Sequence, residues 1–94
     1  KIASIRKLKK DLNYLSYELL TEAFTFKHFH PDMNEKNFDD IILNIVKKRN
    51  ELIARINDRD EIDESEPAKT REHFSSIRKE MYKMVDIMKD FSNN

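Results

Sequence analysis

The sequence predicts an all-α fold, an antiparallel up-down-up bundle of three helices covering about 3–30, 38–57 and 67–92. Two observations lead there: apolar residues recur every three or four positions through three separate stretches, and no alternating strand pattern lies between them. A third is the absence of glycine from all 94 residues, where about 7% is usual. Hairpin turns at positive φ, phosphate-cradling loops, dinucleotide fingerprints and nucleophile elbows all need glycine, so none of them is expected.

The first helix follows from Ile5, Leu8, Leu12, Leu15 and Leu19, with Phe26 and Phe29 continuing that face and Glu22 interrupting it. It is expected to run to His30, because Pro31 disfavours helical geometry in its predecessor and has no N–H to donate. Asn37 then reads as the N-cap of the second helix, with Asp39 and Asp40 favourably placed in its first turn. The inward stripe of that helix is Phe38, Ile41, Ile42, Ile45, Leu52 and Ile56, widened by Val46 and Ile53, and it fades at Asn57 and Asp58. Pro67 suits the first turn of the third helix, whose stripe of Phe74, Ile77, Met81, Met84, Met88 and Phe91 is joined by Val85. Short connections make consecutive helices antiparallel neighbours, giving one domain over 1–94. The same pattern also fits an intertwined dimer to which each chain gives three helices.

Lys and Arg number 18 and Asp and Glu 18, a net charge of zero that argues against a generic polyanion binder. Without cysteine there are no disulfides, thiolate nucleophiles or thiolate metal sites, which fits a reducing compartment. No apolar run approaches the ~18 residues of a membrane span. The default expectation is a cytoplasmic protein. Lys1 stands where a methionine would open a chain, so a trimmed or processed form is expected, with any targeting segment upstream.

Arg49 is the one polar member of the stripe on helix two. With turns at 31–36 and 58–66 it lies level with Glu18 and Glu22, and an unpaired inward arginine is costly. A buried ion pair of Arg49 with Glu18 or Glu22 is therefore expected, with His73 or Arg78 in the same layer. Carboxylate-bridged metal enzymes put such layers inside bundles, but they use Glu-x-x-His pairs and this chain has none. No catalytic residue or cofactor is assigned, and a non-enzymatic protein is expected.

The runner-up is a metal site at His28, His30 and Asp32, near the end that also carries Asp39, Asp40, Asp86 and Asp90. Residues two apart on a helix point about 200° apart, so the histidines converge only if the last turn unwinds before Pro31. The acidic connection from Asp58 to Glu66 fails the calcium-loop pattern, with Asp63 in place of the required glycine. A nucleic-acid footprint of Lys1, Arg6, Lys7, Lys9 and Lys10 with Lys47, Lys48 and Arg55 has no recognition motif behind it. The acidic connection at the same end of the bundle neutralises that basic turn more simply.

Helix one carries a second apolar stripe of Tyr14, Tyr17, Leu20 and Phe24, turned away from the face of Ile5, Leu12 and Leu19. Large amphipathic rings on a far side suit an interface anchor. A homodimer or another protein partner is the expected occupant, making the chain an interaction module; packing of these residues at the edge of the core is the alternative. The stretch from Asp11 to Phe26, the His28-Phe29-His30-Pro31 corner and Arg49-Asn50-Glu51-Leu52 together resemble a small uncharacterised bacterial family of all-helical bundle proteins. That resemblance implies the fold and assigns no activity, ligand or residue role.

Overall fold

Apolar periodicity and helix-ending residues divide the chain into α1 (Ile2–Phe29), α2 (Glu35–Ile56), α3 (Pro67–Lys83) and α4 (Val85–Ser92). The computed structural model describes residues 2–58 and 65–92, with side chains for 5–58 and 65–89. Asp90, Phe91 and the acids between Arg59 and Glu64 lie outside the described side chains. No strand occurs among the described residues. α3 and α4 form a single helical path hitched at Met84, whose N–H bonds to the carbonyls of Met81 and Tyr82, while Ile87 N–H bonds to Met84 at 3.1 Å. Met84 keeps right-handed helical angles (φ −59°, ψ −27°), so the apolar stripe passes through the hitch. The result is the up-down-up three-helix bundle, a rod of 55 × 17 × 17 Å.

α1 ends one residue before the expected His30, and the chain turns back at once. Asn34, rather than Asn37, caps α2: in extended geometry (φ −62°, ψ 121°) its Oδ1 accepts from the N–H of Lys36 at 2.8 Å and of Asn37 at 3.3 Å. The early cap changes which residues of α1 and α2 stand level, with consequences for Arg49 below. α2 closes on Asn57, whose N–H bonds to Ile53 at 3.0 Å. Pro67 opens α3, its missing N–H costing nothing where no intrahelical acceptor exists.

Leu8, Leu12, Leu19 and Ala23 of α1 meet Ile45, Leu52 and Ile56 of α2 and Ile77, Met81, Met84 and Met88 of the third helix in one core. Three stripe residues differ from expectation. Phe29 is 72% exposed, because the turn leaves nothing opposite the last residue of α1. Val46 and Val85 sit at the edge of their helices, at 38% and 36% exposed. At the level of Glu22, which points outward, fully buried Ala23 fills the core face instead.

Candidate interaction surface

Three helices make three seams, and two of them are closed by charge. Across α2 and α3, Lys48 Nζ lies 3.0 Å from Glu80 Oε2 and 3.5 Å from Glu51 of its own helix. On the same seam His73 Nε2 lies 3.0 Å from the Arg55 carbonyl, and Arg55 donates to Ser76 Oγ at 3.3 Å. Across α1 and α3, Arg78 donates to Asp11 Oδ2 at 3.2 Å. The hydrogen bond to Glu80 raises the Lys48 pKa against the opposing effect of burial, and the same bond lowers that of Glu80. Tyr82, then Asp11, hold the Arg78 proton above the ordinary arginine value.

The third seam, between α1 and α2, has no ion pair among the described residues. Arg49 crosses it, donating from Nε at 2.9 Å and Nη2 at 2.8 Å to Asn13 Oδ1, and from Nη1 at 3.0 Å to Asn50 Oδ1. The expected pair with Glu18 or Glu22 is therefore replaced: both glutamates are exposed, and Arg49 is half-buried against two neutral amides. The physical reason is the cap at Asn34, which puts Arg49 level with Asn13 rather than with Glu18. Arg78 stays near the Arg49 layer, its partner Asp11 lying two residues from Asn13, while His73 bonds to the Arg55 carbonyl.

Beside Arg49 the seam opens into a groove of about 250 Å³, walled by Tyr17 and Leu20 of α1 and by Ile45 and Val46 of α2. Ser16 also lines it; its Oγ is buried and has no hydrogen-bond partner among the described residues. Tyr14 and Tyr17 are 67% and 68% exposed, Phe24 is 55% exposed, and Leu20 is half-buried against the core. Phe24 meets the Phe38 ring edge-on at 5.2 Å, joining the two helices at the turn end.

Residues on α2 extend this face in a way the sequence reading missed. Leu43 is 54% exposed, and Val46, 38% exposed, lines the groove. The signal was present as the spacing Asp39, Leu43, Val46, Asn50, a helical stripe parallel to the inward one. One isolated leucine among polar residues gives that stripe too little apolar character to stand out.

At the turn, the two imidazoles do not converge. The His30 ring stacks on Phe26 at 4.1 Å with its Nδ1 3.0 Å from the Phe26 carbonyl, while His28 stands edge-on to Phe29. Among the described residues no three His, Asp or Glu side chains gather as a metal site would require, so His28, His30 and Asp32 remain apart. Of the basic residues considered for nucleic acid, Arg6, Lys7 and Lys10 are exposed, whereas Lys48 and Arg55 are engaged with Glu80 and Ser76. No described helix is long and apolar enough to cross a membrane.

Comparison of the chain with protein-family models, curated proteins and solved structures finds no match.

Proposed function

We propose that the chain is a non-enzymatic helical module that associates with a second copy or another protein through the open face of α1 and α2. One observation carries this reading: the two seams against α3 are closed by ion pairs, whereas the third opens into a groove walled by exposed Tyr17 and Val46, with Phe24 exposed further along α1. Scattered apolar residues are normal on a surface, but a contiguous apolar strip along two helices marks a contact site. Tyr14 and Tyr17 suit such a contact, since each ring offers area at little entropic cost and a hydroxyl that stays wet.

The test is the size of the native assembly. In extracts of cells making the chain at its natural level, the wild type is expected to elute as a species larger than a single chain, and Tyr17→Glu to elute as the monomer. Elution of both as the same monomer would overturn the reading.

A further inference from the structure

The groove between α1 and α2 has two chemically different ends. Its polar end is Asn13 bound to Arg49, with Asn50 beside them; further along α1 the walls become Tyr17 and Leu20, facing Ile45 and Val46. Arg49 is the single charged residue among those that line it. A guanidinium carries five N–H donors, and three are engaged here, two on Asn13 Oδ1 and one on Asn50 Oδ1. Both partners are neutral, so the positive charge is oriented without being balanced. Held from two sides, the head of Arg49 is already ordered, and an anion can use its remaining donors without the entropic cost of fixing a long side chain.

Ser16 is an independent sign of a missing group. It is 6% exposed, lines the same groove, and its Oγ has no hydrogen-bond partner among the described residues. Buried hydroxyls are ordinarily bonded, and an unpaired one destabilises the protein that carries it. Alanine would avoid that cost, as Ala23 does two turns later on the same helix. Ser16 follows Asn13 by three residues, about 4.5 Å along the helix axis, so the two oxygens of one carboxylate can span the Arg49 level and the Ser16 level. The groove holds about 250 Å³, below the ~300–1,000 Å³ of sites for drug-sized ligands. One cation in that volume suits a small monoanion and not a polyphosphate, and the apolar walls suit a hydrocarbon body.

We infer that the groove binds a small free carboxylic acid with an apolar body, its carboxylate accepting from the Arg49 guanidinium and from Ser16 Oγ. The hydrocarbon lies between Tyr17 and Leu20 of α1 and Ile45 and Val46 of α2. Tyr17, 68% exposed, is the movable wall, and a change of its rotamer uncovers Ser16 Oγ as the acid enters. Binding of this kind goes beyond association and does not depend on what covers the surrounding face.

Titration of the isotope-labelled full chain with sodium hexanoate near neutral pH, followed by amide NMR, tests the inference. Hexan-1-ol and hexylamine serve as neutral and cationic probes of the same length. Hexanoate is expected to give saturable shifts at Ser16, Tyr17 and Val46, and the alcohol and amine to bind about tenfold more weakly or worse. Arg49→Gln should weaken hexanoate by about tenfold or more. Ser16→Ala, which keeps the fold, should weaken hexanoate about fivefold and leave the alcohol unaffected. Shifts that never saturate, or that scatter over the surface, would overturn the inference, as would equal binding of acid and alcohol to the wild type. Hexanoate binding undiminished in Ser16→Ala and in a folded Arg49→Gln would overturn it as well. None of these results touches the elution size that tests association, so the two readings fail separately.

Discussion

The Arg49 guanidinium reaches from α2 to α1 and places both Nε and Nη2 on the single Oδ1 of Asn13, at 2.9 and 2.8 Å. A cation is held here by a neutral amide, where an inward arginine leads one to expect a carboxylate. Asn13→Ala removes that acceptor from a half-buried cation and is expected to cost about 1 kcal/mol of stability, since water replaces part of the bond. Glu18→Gln and Glu22→Gln should stay within about 0.5 kcal/mol of wild type. Urea denaturation of the three variants separates an Asn13 partner from a glutamate partner.

Ser16 presents the reverse case. Its Oγ is buried without a hydrogen-bond partner among the described residues, so the hydroxyl costs desolvation and returns nothing. Ser16→Ala is expected to stabilise the fold by about 1 kcal/mol, read as a higher urea midpoint at unchanged slope.

The cap of α2 gives a third test. Asn34→Ala should cost about 1 kcal/mol, whereas Asn37→Ala, past the cap and exposed, should gain or lose only a few tenths. Equal effects at the two positions would contradict the register described for α1 and α2.

Lys48 and Glu80 make stability depend on pH at both ends of the range. The Glu80 pKa is lowered in the fold, so its contribution is present above the ordinary carboxylate value and lost as pH falls through the lowered one. Lys48 is raised, so its contribution is present below the ordinary lysine value and lost as pH rises through the raised one. Glu80→Gln is therefore expected to melt below wild type near neutrality and to converge with it in acid. A gap that persisted undiminished in acid would show that the pair is not the source.

The core was largely legible because periodicity reports it directly. Leu12, Ile45, Leu52, Ile77 and Met81 occupy the positions their spacing assigns, and Pro67 opens the third helix as its chemistry requires. What escaped was relative height. Asn34 and Asn37 are equally good caps in isolation, and only the path of the chain after Pro31 selects the first. That local choice moved Arg49 from Glu18 to Asn13, a long-range consequence no helical wheel contains.

Small inward residues escaped as well: Ala23 and Ser16 are buried, yet neither has the hydrophobic weight to register in a stripe. The α1 half of the proposed surface could be read from Tyr14 and Tyr17 alone. The α2 half depended on knowing which side of α2 borders α1, since Val46 belongs equally well to the edge of the core or to the groove.

The central claim is that the α1–α2 face is covered by another protein surface in the cell. A photo-reactive residue placed at Tyr17 tests it most directly, with exposed Lys79 on α3 as the control position. The account predicts a discrete cross-linked adduct from position 17 and none from position 79. No adduct from position 17, or the same yield from both, would contradict it.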